Sequence, residues 1–194
     1  RCADVGTGDG FFARSVASMS ECRSMTATDF FDEAPPQSRG SSETSSLRYM
    51  TYGRFFDDEE TYDMVFCRFV LEHVIDPVAF IRKIDRKVAP HGAIVIEVPN
   101  WRSAWRRLAG EYFAELSPPF HLLHFDSGSL RLLLQGYQTT VLENTHALTL
   151  GRTLGNRIGM PVARTGLLSV VMLGPEIVER SRYAAGIVLL GRVT

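Results

Sequence analysis

Residues 4–10 read Asp-Val-Gly-Thr-Gly-Asp-Gly, and they are the strongest local indication of how the chain folds. An apolar run over residues 1–5 predicts a strand before it, and apolar residues at helical spacing predict a helix after it, over residues 11–20. Glycines between a strand and a helix let the backbone turn sharply and approach a ligand closely. The stretch therefore predicts a ligand-binding turn at the carboxyl edge of a sheet.

A second signal is the acidic residue Asp29, which follows the next predicted strand, over residues 24–28. It lies roughly 20 positions after Gly10, the offset at which a carboxylate reaches ribose hydroxyls in nucleotide-binding folds. The two signals together indicate a nucleoside ligand more specifically than the glycines do alone. An ordinary tight turn beside a surface carboxylate is the alternative interpretation.

The charge of Asp4 separates two classes of nucleoside ligand. Dinucleotide-binding turns have the spacing Gly-x-Gly-x-x-Gly and hold a pyrophosphate at the start of the helix. Here the spacing is Gly-x-Gly-x-Gly, and Asp4 stands two residues before Gly6. A carboxylate repels a pyrophosphate, whereas it attracts the sulfonium and ammonium groups of S-adenosyl-L-methionine. The local charge therefore favours S-adenosylmethionine over a nicotinamide cofactor.

The rest of the chain alternates between apolar runs and amphipathic segments, which is the pattern of a parallel sheet flanked by helices. Further strands are predicted over residues 47–51, 62–67, 93–98, 137–144 and 184–193. Further helices are predicted near residues 70–73, from Pro77 onward and over residues 127–135. Residues 90–92 predict a turn, residues 32–46 a mobile loop, and residues 148–183 an insertion of helices and loops.

Length and composition exclude several classes of protein. The 194 residues suit one domain, and a net charge of −1 lacks the basic excess of a protein that grips nucleic acid. Three cysteines share no metal-type spacing, so we expect a reducing, cytoplasmic compartment. No run approaches the ~18 apolar residues of a membrane span. Because Arg1 already lies in a predicted strand, we expect that an N-terminal segment is missing.

Further loose motifs follow the glycine turn in a fixed order. They are Asp29, YDMVFC at residues 62–67, LEHVIDP at 71–77, PHG at 90–92, IEVPN at 96–100, and HLLHF at 121–125 with the leucines that follow it. Their order and spacing, over roughly residues 1–137, resemble the class I S-adenosylmethionine-dependent methyltransferases of the methyltransferase domain 23 type.

The resemblance implies an α/β fold of the Rossmann-like type. It predicts a seven-stranded, mostly parallel, doubly wound sheet with an antiparallel last strand, in a single methyltransferase domain over residues 1–194. Residues 148–183 would form a cap or dimerisation insertion before that last strand.

The resemblance also assigns the cofactor site. Asp4, Gly6 and Gly8 would line the methionine moiety, with Thr7 and Gly10 in the same turn. Asp29 would bind the ribose hydroxyls, Phe30 would lie beside the adenine, and Arg68 and Phe69 would contact the cofactor from the other side. Relatives have Asp after Gly at the end of the third strand. Because Arg54 follows Gly53 here, Asp57 or Asp58 is the expected substitute.

Methyl transfer from a sulfonium needs mainly alignment of the acceptor, and a base where the acceptor must lose a proton. His121 and His124 are the catalytic candidates, because they follow the fifth strand, at the ligand edge of the sheet, and histidine titrates near neutral pH. Some related sugar C-methyltransferases have a catalytic histidine at the position of His121, preceded by Glu where this chain has Phe120. The alternative is that these histidines only orient their loop.

Three other clusters have more than one interpretation. Glu72-His73 resembles half of the Glu-x-x-Glu-His metal site of some quinone O-methyltransferases, but Phe69 replaces the first ligand, so we expect no metal and a structural pair. The aromatic residues Trp101, Trp105, Tyr112 and Phe113 would wall an acceptor pocket or form a core face. The basic residues Arg102, Arg106 and Arg107 would attract an anionic acceptor or form a solvated helix face.

These observations predict an S-adenosylmethionine-dependent methyltransferase that acts on oxygen or carbon of a small molecule, such as a sugar or another secondary metabolite. The expected partner is the methyl acceptor, with neither membrane nor nucleic acid, and a homodimer is a further hypothesis. The alternatives are a non-catalytic scaffold of the same fold and a nucleic-acid methyltransferase. The latter lacks its usual motif, because residues 67–70 read Cys-Arg-Phe-Val.

Overall fold

The computed structural model describes residues 1–30, 46–144 and 186–192. The strands are β1 (Cys2–Val5), β2 (Met25–Asp29), β3 (Leu47–Thr51), β4 (Tyr62–Arg68), β5 (Val88–Pro99), β6 (Gln138–Asn144) and β7 (Gly186–Arg192). The helices are α1 (Phe11–Ala17), α2 (Tyr52–Asp57), α3 (Pro77–Asp85), α4 (Ala104–Ala109) and α5 (Ser127–Leu133), with 3₁₀ turns at Leu71–His73, Gly110–Tyr112 and Ala114–Leu116.

The strands form one sheet in the order β3-β2-β1-β4-β5-β7-β6. Strands β1 to β5 are parallel, whereas β7 runs antiparallel between β5 and β6. The strand order reverses at β1, whose neighbours are β2 and β4, so the loops leaving β1 and β4 diverge at their carboxyl ends. Such a crevice is where open α/β sheets bind ligands. The prediction of a Rossmann-like, mostly parallel α/β sheet is confirmed.

Small side chains bring α1 close to one face of this sheet. Ala13 and Ala17 of the helix are buried against Met25 and Ala27 of β2. The other face carries the larger core, in which alternate residues of β1, β4 and β5 pack against α3 and α5. The period-2 burial of the strands therefore places helices on both faces, as in a doubly wound sheet.

Local sequence signals fix the starts of α3 and α5. Asp76 caps α3 by accepting a 2.9 Å hydrogen bond from the Ala79 amide, and Pro77 occupies the first turn. At α5, Asp126 and Ser129 form a reciprocal capping box. These caps hold the helices whose apolar faces complete the core, so both helices begin where the sequence predicts.

Three predicted elements differ in the structure. The turn expected at residues 90–92 lies inside β5, as a bulge between the pairs Tyr62–Val88 and Met64–Ala93, with His91 at φ 63°. The helix expected near residues 70–73 is a single 3₁₀ turn, and α1 ends at Ala17 because the chain bends toward β2. A loop was predicted at residues 32–46 and an insertion at residues 148–183. Residues 32–45 of that loop and the whole insertion lie outside the described residues.

Within residues 1–30, 46–144 and 186–192, every helix is too short or too polar to span a bilayer.

Candidate functional site

The glycine turn after β1 needs its glycines for two different reasons. Gly6, Gly8 and Gly10 have φ angles of 79°, 57° and 74°. This left-handed backbone conformation is strained for a residue that has a side chain. At Gly6 an added Cβ would lie 2.2 Å from Val70 Cγ2, and at Gly10 it would lie 2.5 Å from Tyr49 Oη. At Gly8 nothing lies within 4 Å. Gly6 and Gly10 therefore let neighbouring side chains pack against the turn, whereas Gly8 borders open space.

The backbone amides of this turn bind other groups of the protein. The amides of Gly6 and Thr7 donate to the Thr28 carbonyl oxygen at 2.8 and 3.1 Å, and the Gly10 amide donates to the Thr7 oxygen at 2.9 Å. The Gly8 amide donates to Asp29 Oδ2 at 2.7 Å, and the Phe11 amide donates to Asp9 Oδ1 at 2.9 Å. A diphosphate needs such amides free. The bonded amides of this turn therefore add to the charge of Asp4 as an argument against a dinucleotide.

Asp4 lies beneath the turn, only 2% exposed. Its Oδ2 accepts a 2.7 Å hydrogen bond from the Thr7 hydroxyl. Burial raises the pKa of Asp4 to about 6, against the opposing effects of the Thr7 hydrogen bond and the Arg68 charge, while the Asp29 charge adds to the rise. A carboxylate held in this state is stabilised by any further cation that comes near.

Arg68 and Phe69, at the carboxyl end of β4, are both tied to Glu97 of β5. Arg68 Nε donates to Glu97 Oε2 at 2.5 Å, and the Phe69 amide donates to the Glu97 carbonyl oxygen at 2.7 Å. The Arg68 guanidinium also lies 4.3 Å from the centre of the Phe12 ring. These contacts fix both residues beside the glycine turn, with Phe69 in the left-handed region at φ 54°.

Phe30 lines an aromatic pocket next to Asp29. Its half-exposed ring stacks on Tyr52 at 4.5 Å between centroids, and Phe80 lies beyond at 6.5 Å. The pocket has a volume of about 440 Å³ and is also lined by Val74 and Lys83. Its size is that of a small-ligand site, and its flat walls suit a planar heterocycle.

Asp57 and Asp58, either of which was expected to replace the adenine-binding Asp of relatives, lie away from the aromatic pocket. Asp58 caps the carboxyl end of α2, which begins at Tyr52. Its carbonyl oxygen accepts a 2.7 Å hydrogen bond from Lys87 Nζ. Lys87 in turn pairs with Tyr62, the first residue of β4. Asp58, and Asp57 beside it, therefore lie at the amino edge of the sheet, and the expectation that one of them replaces the missing Asp is wrong.

His121 and His73 are brought together although they lie far apart in sequence. Their rings meet edge to face with centroids 4.8 Å apart. The Nδ1 of His73 lies 2.8 Å from the Phe120 carbonyl oxygen, and that of His121 lies 2.7 Å from the Glu115 carbonyl oxygen. Since a carbonyl only accepts, each Nδ1 carries a proton, so in a neutral ring the lone pair is on Nε2. Both rings are thus oriented by the backbone.

Glu72 completes this cluster, and the sequence did not predict that His121 would join the Glu72-His73 pair. Its side chain is 1% exposed, and neither carboxyl oxygen has a hydrogen-bond partner within the described residues. Burial raises its pKa to about 8, with further contributions from Glu115 and Glu97. One donor atom from each of Glu72, His73 and His121 lies within 4.8 Å of the others. Three such groups can share a proton or hold a divalent cation.

His124 has different surroundings from His121. Its exposed ring stacks on Trp101 at 4.4 Å, with 21° between the planes. Partial desolvation and the Arg106 charge lower its pKa. Of the aromatic residues expected to wall an acceptor pocket, Phe113 is buried in the core, and the side chain of Trp105 lies outside the described part of the chain.

Residues 1–144 match the family model described as Methyltransferase domain. The chain is also 33% identical over 126 residues to a ubiquinone biosynthesis O-methyltransferase of Xanthomonas oryzae pv. oryzae. That match covers 61% of this chain and 52% of the relative, so the chain spans about half the length of the curated relatives it matches.

Solved structures share the fold. An S-adenosylmethionine-dependent methyltransferase of Mesorhizobium loti has a TM-score of 0.64 at 15% identity, covering 100% of this chain and 90% of its own. The magnesium protoporphyrin IX methyltransferase of Synechocystis PCC 6803, solved with bound SAH, has a TM-score of 0.62 at 12% identity, covering 100% and 74%. Because the family model matches most of this chain, the chain belongs to the methyltransferase domain family, whose cofactor is S-adenosylmethionine.

Proposed function

We propose that this protein transfers the methyl group of S-adenosylmethionine to oxygen or carbon of a small-molecule acceptor. The observation that carries the proposal is the glycine turn, whose amides are occupied, whose flanks are Asp4 and Asp29, and whose open side is at Gly8. Such a turn attracts a cationic nucleoside and repels a diphosphate. O-methylation is the reaction named for the curated relatives, and a sugar or another secondary metabolite is the acceptor class we propose.

Each element of the turn would have one part in cofactor binding. The backbone of Gly6, Thr7, Gly8 and Gly10 would face the methionine moiety, with the field of Asp4 acting from beneath. The Asp29 carboxylate would accept from the ribose hydroxyls with the oxygen that the Gly8 amide does not use.

The aromatic pocket and the end of β4 would hold the rest of the cofactor. Phe30 would stack on the adenine with Tyr52 behind it, and Arg68 and Phe69 would close the opposite side. When bound, S-adenosylmethionine supplies a methyl group on a positively charged sulfur that a nucleophile displaces in line. The residues of the chain align the acceptor and exclude water.

His121 would act as the base where the acceptor must lose a proton. Burial lowers its pKa, and the charges of His73 and His124 lower it further, so the ring is neutral at pH 7. Its Nδ1 is fixed on Glu115, which leaves Nε2 to accept the proton. The clustered Glu72 and His73 would pass that proton on, and His124 is the second catalytic candidate. This assignment needs no metal ion.

Exposed apolar side chains near the histidines support a covered acceptor site. Ile75, Phe120 and Leu122 are 88%, 69% and 52% exposed. We propose that residues 148–183, within a single domain over residues 1–194, provide a cap or a dimerisation surface for this edge. The protein would then work on its acceptor in the cytoplasm as a monomer or a homodimer.

Calorimetric titration with S-adenosylmethionine, SAH and NADH tests the proposal. We expect the first two ligands to bind in the micromolar range and NADH to produce no heat, because Asp4 repels a diphosphate and the Gly6, Gly8 and Gly10 amides are already bonded within the protein. Binding of NADH alone would overturn the proposal. Binding of S-adenosylmethionine without methyl transfer to any of a broad panel of hydroxylated acceptors would favour the non-catalytic alternative, and transfer to DNA or RNA would favour the nucleic-acid enzyme.

A further inference from the structure

The segment after β5 forms a second pocket, the arginine pocket, of about 430 Å³, lined by Trp101, Arg102, Arg106 and Arg107. We propose that the arginine pocket binds an anionic group of the methyl acceptor, a phosphate or a carboxylate. This inference rests on the proposed function, since it names the class of acceptor that the methyltransferase would use.

The arginine pocket lies at the ligand edge of the sheet. Asn100 follows the end of β5 and forms a parallel bridge with Phe125, and the Trp101 amide donates to the Phe125 carbonyl oxygen at 2.8 Å. His124, the neighbour of Phe125, stacks on Trp101. The pocket therefore adjoins the histidine segment, where an acceptor would have to lie.

The charge of the arginine pocket is unbalanced. Three guanidinium groups line it, and among the described residues one carboxylate, that of Asp126, pairs with one of them, Arg102, at 3.1 Å. The Arg106 guanidinium lies 3.8 Å from the centre of the Trp101 ring, and its Nε is buried with no hydrogen-bond partner in the described part of the chain. A buried, unpaired N–H of a charged group is costly, and an anionic oxygen removes that cost.

Buried polar side chains hold the backbone of the arginine pocket in place. Asn100 Oδ1 accepts from the Arg102 amide at 2.9 Å, and Ser103 Oγ accepts from the Arg106 amide at 3.1 Å, which caps α4. Asn100 and Ser103 are only 5% and 2% exposed. Two of the arginines are thus presented from a fixed backbone. Arg102 and Arg107 are exposed, so it is the partly buried Arg106 that distinguishes the pocket from the solvated helix face that the sequence left as an alternative.

Phenyl phosphate, benzoate and phenol are suitable probes, because they share one ring and differ in charge. Each is titrated into the SAH-saturated protein, and binding is followed by calorimetry and by the fluorescence of the two tryptophans. We expect phenyl phosphate or benzoate to bind at least ~10-fold more tightly than phenol, since charge-assisted hydrogen bonds are the stronger ones. We also expect added salt to weaken that binding. The tighter of the two anions identifies the group as phosphate or carboxylate.

Substitutions of single arginines test whether the anion binds in the arginine pocket. Arg106→Gln should weaken binding of the preferred anion by ~10-fold or more, whereas Arg131→Gln, on the exposed face of α5, should leave it unchanged. Arg107→Gln is the second variant if Arg106→Gln does not fold. Equal affinity for phenol and both anions, or equal behaviour of the pocket and Arg131 variants, would overturn the proposal. The SAH affinity of the wild type, measured first, reports separately on the proposed function.

Discussion

The Gly8 amide donates a 2.7 Å hydrogen bond to Asp29 Oδ2, which ties the glycine turn after β1 to the end of β2. The bond brings both residues to the cofactor site that we propose. It fixes the carboxylate in orientation and uses one of its oxygens, so that the second oxygen is free for a neighbouring hydroxyl. It also removes from the turn an amide that a diphosphate would need.

Asp29→Asn should weaken S-adenosylmethionine binding about 10- to 100-fold. The substitution keeps the shape of the side chain but replaces charge-assisted hydrogen bonds with neutral ones. Calorimetry measures the affinity, and Asp57→Asn, exposed at the far end of α2, is the matched control. An Asp29 variant with the affinity of the control would show that the carboxylate does not contact the ligand.

Gly8→Val should abolish cofactor binding and leave the protein folded. A side chain at Gly8 meets no protein atom within 4 Å, so it would project into the space assigned to the ligand. The positive φ of 57° costs the variant about 1–2 kcal/mol of stability. Gly136→Val is the control, because Gly136 also has a positive φ, of 107°, and open space around its Cβ. Thermal melts and calorimetry of both variants check the prediction, and retained affinity in Gly8→Val would contradict it.

Asp4→Asn should stabilise the protein while it weakens cofactor binding. Folding raises the pKa of Asp4 from 3.8 to about 6, so the free energy of unfolding falls as pH rises from about 4 to about 6. Asparagine avoids this loss, up to about 3 kcal/mol at pH 7.5, and the difference disappears below pH 4. Denaturant melts at both pH values and titration with S-adenosylmethionine measure the two effects. A variant that is destabilised at pH 7.5 and binds normally would contradict the role of Asp4.

His121→Gln should lower kcat about 100-fold or more for an acceptor that must lose a proton. Because burial lowers the pKa of His121 below its usual 6.5, the wild-type rate should be flat near pH 7 and fall on the acid side. The variant should lose that acid limb. His91→Gln, in the exposed bulge of β5, is the control. A pH–rate profile that is identical in wild type and His121→Gln would show that another group is the base.

Removal of divalent metal with EDTA should leave methyl transfer unchanged. The pKa of Glu72 is raised to about 8, so its carboxyl is neutral at pH 7, and metal ligands must be deprotonated. For the same reason Glu72→Gln should stabilise the fold at pH 7, by up to about 3 kcal/mol. Loss of activity with EDTA that Mg²⁺ or Zn²⁺ restores, together with destabilisation by Glu72→Gln, would assign a cation to the cluster of Glu72, His73 and His121.

The parallel sheet, the glycine turn and the carboxylate at Asp29 were predictable from the amino-acid sequence, because they depend on apolar periodicity and on spacings within about 30 residues. The caps of α3 and α5 are local for the same reason. The bulge at His91 was not predictable, since it depends on how β5 aligns with β4.

The meeting of groups that are distant in sequence depends on how the chain packs. The Leu122 and Leu123 amides donate to the Glu72 carbonyl oxygen, which brings His121 to His73 and leaves the Glu72 carboxyl buried with no hydrogen-bond partner among the described residues. The same return of the chain stacks His124 on Trp101 beside Arg106. These contacts join residues some 25 to 50 positions apart, and their energies depend on burial and packing that no local pattern encodes.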